Sequence, residues 1–155
     1  MMERGGATPS FFRRQTPVDP MKKLTLPRRR MIKKKSEFQL VYTKGKGAAG
    51  RYIILRALKR GPENPGVKKS VRESVILEYS KLPAKLAVAA GKKLGCAVIR
   101  NRVKRLLREA FRLEQETVAD GWSLMLIGRP GAVTAHSAEI RRELRYLLKK
   151  TALLK

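Results

Sequence analysis

The sequence predicts an α+β domain in which helices cover an open sheet. Three observations predict it. An amphipathic helical pattern runs from about Ala97 to Glu116, and a second from Ser137 to Leu148 or beyond. Extended apolar runs lie at 51–58, 85–90 and 122–127. With a short helical segment before them, these alternate as helix, strands, helix, strand, helix, which calls for a layered arrangement. A length of 155 residues suits one domain with a flexible end.

Residues 1–30 read as a flexible basic extension, mixing Gly, Pro, Ser and Thr without an apolar period. From Met21 the character turns basic: Lys22, Lys23, Arg28, Arg29, Arg30, Lys33, Lys34 and Lys35 have no acidic residue among them. Translation is compatible with a start at Met1 or Met21. Residues 31–155 form the expected domain. Ser36 offers an N-cap for a helix from Glu37 to about Lys44, with Phe38, Val41 and Tyr42 at helical spacing. Gly45, Gly47 and Gly50 break it. On the strand Arg51 to Leu58, alternation puts Tyr52, Ile54 and Arg56 on one face and Ile53, Leu55 and Ala57 on the other.

A long loop is expected at about 60–83, marked by Gly61, Pro62, Pro65 and Gly66; within it Ser74 to Tyr79 fits a strand or a helical turn equally. Lys85 to Ala90 is a short strand. In the long helix Ile99, Val103, Leu106, Leu107 and Ala110 make one buried stripe. Asp120-Gly121 is a turn, Trp122 to Ile127 a strand, and Arg129-Pro-Gly131 its end. The last helix has Ile140, Leu144, Leu147 and Leu148 as its seam.

Charge narrows the function. Lys and Arg total 37 against 12 Asp and Glu, a formal net charge of +25. Self-repulsion of that size favours a polyanionic partner, and nucleic acid is the commonest. Cys96 is the only cysteine and His136 the only histidine. One excludes an intrachain disulfide, which fits a reducing cytoplasm, and together they are too few for a common zinc site. Cys96 reads as a small packing residue at a helix start, although that position can also lower a thiol pKa. His136 reads as a loop or helix-entry residue. No apolar run approaches the roughly 20 residues of a membrane helix, and 1–20 lacks the apolar stretch of a secretory signal.

The informative segment is 92–112. Opposite its apolar stripe stand Asn101, Lys104, Arg105, Arg108 and Arg112, with Arg100, Lys104 and Arg108 in one i,i+4 row and Lys92, Lys93 and Arg102 close by. A solvated helix face alternates charge sign; here only Glu109, read as a partner of Arg105 or Arg112, interrupts the cations. Like charges one turn apart repel by a few tenths of a kcal/mol per pair, so a partner is expected to compensate. Arg forks match phosphate oxygens bidentately, and a rigid row sets register without reading sequence. Because the apolar side is needed inside the fold, a membrane is the weaker candidate.

The run Lys92-Lys93-Leu-Gly95, then Ala97-Val-Ile-Arg100-Asn101-Arg102-Val-Lys104-Arg105-Leu-Leu-Arg108-Glu109, resembles the signature of the bacterial ribonuclease P protein component. Ile32 to Lys46 resembles that family's first helix and following turn, and Leu124 to Ala132 its last strand and the loop beyond. The likeness covers roughly 26–150 apart from the 60–83 loop. It implies a single two-layer domain of α-β-β-β-α-β-α order with a left-handed crossover through the Arg-Asn-Arg helix.

It implies a cleft between the first helix and the sheet that holds the single-stranded 5′ leader of precursor tRNA. Phe38, Tyr42, Tyr52, Ile54 and Arg56 would line it. Phe38 fits cleft or core equally, and Tyr42 favours the cleft. Where some members carry an aromatic this chain has Arg56, which suggests a phosphate contact instead of stacking. Ala90 and Gly91 stand where Ser or Thr is frequent. The implied role is accessory. The catalytic RNA subunit carries out the hydrolysis with its own Mg²⁺, and the protein binds that RNA and the precursor in the cytoplasm. No metal, small-molecule substrate, membrane or catalytic side chain is assigned to the protein.

Two rivals stand beside this reading. A structural ribosomal or other RNA-scaffold protein shares the composition but not the Arg-Asn-Arg segment. A protein-only nuclease needs clustered acidic metal ligands, and the carboxylates here are scattered.

Overall fold

The computed structural model describes residues 25–61 and 81–155. Sequence expectations for 1–24 and 62–80, including Lys22, Lys23 and the Ser74 to Tyr79 segment, lie outside the described residues. The elements follow the order α1 (Lys35–Lys44), β1 (Lys46–Ala49), β2 (Ile53–Lys59), β3 (Lys85–Ala90), α2 (Ala97–Glu114), β4 (Trp122–Gly128) and α3 (Ser137–Lys150). The sheet order is β1-β2-β4-β3. β4 pairs antiparallel with β2, Ile53 opposite Gly128 through Lys59 opposite Trp122, and parallel with β3. The chain therefore passes between the neighbouring strands β3 and β4 by way of α2.

Period-2 alternation divides the apolar residues between two cores. Ile53, Leu55, Ala57, Leu86, Leu124 and Leu126 face α2 and α3, which contribute Val103, Leu107, Ala110, Phe111, Ile140, Leu144, Leu147 and Leu148. Met125, Ala87, Leu58 and Ile127 belong to a smaller cluster completed by Val41 and Phe38 of α1. The two long helices thus cover one face of the sheet, and α1 covers part of the other. Each large apolar chain withdrawn from water on these faces stabilises by about 1.5–3 kcal/mol.

Two glycines permit the seating of α2. A Cβ at Gly128 would lie 2.6 Å from Val103 Cγ1, so the bare strand backbone there makes room for the Val103 side chain of the helix. Gly95 has φ +127°, a backbone that favours glycine, and it turns the chain from a 3-10 turn at Lys92–Leu94 into α2.

The structure departs locally from the expectations. Helix α1 starts at Lys35 with Lys34, not Ser36, at its N-cap, and the Phe38 N–H donates to the Lys34 carbonyl at 3.0 Å. Strand β1 is an edge strand in a Gly- and Ala-rich run with no β-branched residue, so its strand character comes from pairing with β2. The segment before α1 is not all loose: Arg28–Arg30 form a 3-10 turn, Leu26 and Met31 pack against the main core, and Arg30 Nη1 donates to Gln115 Oε1 at 2.8 Å.

Candidate nucleic-acid interface

Helix α2 is anchored by Val103, Leu107, Ala110 and Phe111, each essentially fully buried. Its stripe runs on past the expected Ala110 to Phe111 and Glu114, while Ile99 and Leu106 are half-buried. The other side carries the cations. Asn101, Arg102, Arg105 and Arg108 are exposed, and Arg100, Lys104 and Arg112 half-buried. Lys104, Arg105 and Arg108 make no hydrogen bond or ion pair with any described residue. Glu109 turns to Arg112, whose Nε donates to Oε2 at 2.8 Å, so of the two partners expected for Glu109 it is Arg112 that takes the carboxylate. That hydrogen bond, aided by the neighbouring charge, holds the Glu109 carboxyl below its ordinary value and raises the Arg112 pKa.

Lys92 and Lys93 are exposed on the turn that leads into α2. Cys96 is the N-cap residue and is exposed, so it packs nothing, contrary to the sequence expectation. The neighbouring backbone N–H groups of Ile99 and Val98 in the first turn favour the thiolate and lower the thiol pKa, without a side-chain cap hydrogen bond from Cys96.

The described part of the basic segment lies beside this helix. Arg28, Leu26 and Met31 line one groove of about 900 Å³ together with Arg102, Arg105 and Arg108. Arg29 and Arg30 line a pocket of about 350 Å³ with Arg60 and Lys85. Arg60 is nearly buried, and that desolvation lowers its pKa against the pull of Glu37 and Asp120. Lys33, Lys34 and Lys35 are exposed at the entrance to α1.

The second expected surface is divided. Tyr42 is 52 % exposed, and the Arg56 guanidinium lies 5.1 Å from its ring centre. Ile54 shares the β2 face of Arg56. Phe38 is half-buried against the Val41, Ala87 and Met125 cluster, which favours its packing role. Tyr52 does not join them. It precedes the first residue of β2, so strand alternation does not govern it, and its ring packs against the main core, near Arg51 and Gly131.

The family model for ribonuclease P protein matches residues 26–152. The chain belongs to the ribonuclease P protein family. The ribonuclease P protein component of Symbiobacterium thermophilum is 32% identical over 123 residues, covering 79% of this chain and 91% of that one. That of Geobacillus kaustophilus is 32% identical over 124 residues, covering 80% and 88%. The 2.0 Å structure of the Staphylococcus aureus RNase P protein superposes with a TM-score of 0.61 at 26% identity, covering 81% of this chain and 97% of that one. The Thermotoga maritima RNase P protein shares the fold, with a TM-score of 0.59 at 22% identity, covering 77% and 96%. Within the family match lie α2 with its cations and the Tyr42–Arg56 pair. Among the described residues, no helix is long and apolar enough to cross a membrane, and no group of three or more His, Cys, Asp or Glu could hold a metal ion.

Proposed function

We propose that this protein is the RNA-binding subunit of ribonuclease P and assists a catalytic RNA in removing the 5′ leader from precursor tRNA. The observation that carries the reading is the row of Lys104, Arg105 and Arg108, unpaired among the described residues, on a helix whose opposite side is locked in the core. A rigid cationic row neutralises phosphates and releases their counterions. In this reading it lies on the catalytic RNA, with Lys92, Lys93, Arg100, Asn101, Arg102 and Arg28 around it.

The exposed Tyr42 ring, with Arg56 and Ile54, receives the single-stranded leader. The ring stacks on a base and Arg56 meets a phosphate. This surface lies on the face of the sheet away from α2, so leader and catalytic RNA do not compete for the same side chains. Hydrolysis and the Mg²⁺ that serves it belong to the RNA subunit. The protein supplies binding and charge neutralisation, which lowers the Mg²⁺ the RNA requires, and it works in the cytoplasm.

The test is reconstitution. Added to a bacterial ribonuclease P RNA at low Mg²⁺, the purified protein is expected to accelerate 5′ cleavage of a precursor tRNA. No change in cleavage and no association would overturn the proposal.

A further inference from the structure

Helix α3 carries a second cationic face that the proposed role does not use. Its own acids are spent on the fold. Glu139 accepts the His136 N–H at 2.8 Å. Glu143 accepts the backbone N–H groups of Arg51, Tyr52 and Ile53, the last two at 2.8 Å each, and ties the β1–β2 turn to the helix. With both carboxylates occupied, the outward side is left to cations. Arg142, Arg145, Lys149 and Lys150 are exposed and make no hydrogen bond or ion pair with a described residue. Tyr146, 63 % exposed, stands among them.

The geometry matches that of α2. Ile140, Leu144, Leu147 and Leu148 are fully buried on the inner side, so the outer row is held rigidly. Arg142, Arg145 and Lys149 follow i, i+3, i+7 spacing and span roughly 10 Å along the axis. The two helices lie side by side on one face of the sheet, and a trough of about 430 Å³ between them is lined by Arg142 and Arg145. The carboxylates bordering it are engaged: Arg112 holds Glu109, and Arg141 Nε donates to the buried Glu114 at 2.6 Å. Neither is left to neutralise the row.

We infer that α3 and the α2–α3 trough form a second phosphate-binding surface that grips a further segment of the catalytic RNA. This rests on the proposed ribonuclease P role. The occupant follows from charge and position. A polyanion complements a row that has no partner among the described residues. A strand held at Tyr42 lies on the opposite face of the sheet and does not reach it. A folded RNA seated on α2 meets α3 across the trough, and its backbone can be gripped through phosphates without sequence readout.

The test compares two triple variants of the full chain, Arg142→Ala/Arg145→Ala/Lys149→Ala and Lys104→Ala/Arg105→Ala/Arg108→Ala, for binding to a bacterial ribonuclease P RNA over a salt series. Melting temperatures confirm that both fold. The α3 variant is expected to bind tenfold or more weakly. Its slope of log affinity against log salt should be shallower by about two units, since each phosphate no longer neutralised removes roughly 0.7–0.9. Its affinity for a short single-stranded RNA should be unchanged. If only the α2 variant loses affinity, the α3 surface is wrong and the proposed function stands. If neither variant differs from the parent, both fall. Loss of mature tRNA binding with the RNA subunit unaffected would show that the assigned occupant is wrong.

Discussion

The Arg56 guanidinium lies over the Tyr42 ring, 5.1 Å from its centre, and joins α1 to β2 at the surface. The pair leaves one ring face to the cation and half of the side chain to solvent. Stacking of a base on an aromatic side chain contributes about 1–3 kcal/mol. Tyr42→Ala should therefore weaken binding of precursor tRNA to the reconstituted enzyme by roughly five- to hundredfold, and of mature tRNA much less. Equal losses for both would remove Tyr42 from the leader surface.

The close approach of Gly128 to Val103 sets where α2 sits on the sheet. A methyl group at Gly128 would meet Val103 Cγ1 at 2.6 Å. Gly128→Ala is expected to destabilise the fold by about 1–3 kcal/mol, the usual range for overpacking. Adding Val103→Ala should recover part of that loss. Denaturant midpoints of the single and double variants give the coupling, and strict additivity would show that the two groups do not press on each other.

Glu109 and Arg112 give a pH signature. The carboxyl is held below its ordinary value of 4.5, first by the hydrogen bond from Arg112. A depressed folded-state pKa adds stability that is present above the ordinary carboxylate value and is lost as pH falls through the lowered one. Arg112→Ala should move the Glu109 midpoint up toward 4.5 in a carboxyl NMR titration, and should destabilise slightly at neutral pH but not in strong acid. High salt should shrink the difference, because the pair is largely solvated. An unmoved midpoint would show that Arg112 does not set the shift.

Long, strongly patterned elements are legible in the sequence. Helix α3 has its whole seam of Ile140, Leu144, Leu147 and Leu148 where periodicity puts it, and β3 spans Lys85–Ala90 as its apolar run predicts. Strand β1 is not legible from its own residues, because Lys-Gly-Ala-Ala has little preference and only Ala48 is buried. Ser36 suits a cap by residue type, but the helix begins before it. Tyr52 escapes the alternation because it stands just outside the strand's first residue.

The cations of α2 are legible as a face, but that Lys104, Arg105 and Arg108 find no partner among the described residues is not, since pairing depends on which way Glu109 turns. The contribution of Leu26 and Met31 to the core is hidden in a run dominated by charge. Their apolar character is the available signal. The carboxylates of Glu139 and Glu143 look like ordinary helix charges, and only their capture by backbone N–H groups exposes α3 as cationic.

The central claim is that a cationic helix, fixed from below by the core, holds the catalytic RNA. Its most direct test is the affinity of the Lys104→Ala/Arg105→Ala/Arg108→Ala protein for a bacterial ribonuclease P RNA, measured against the parent across a salt series. The account expects an unchanged melting temperature, weaker binding and a salt slope shallower by about two units, at roughly 0.7–0.9 for each phosphate left without its cation. Equal affinities with parallel slopes would contradict it.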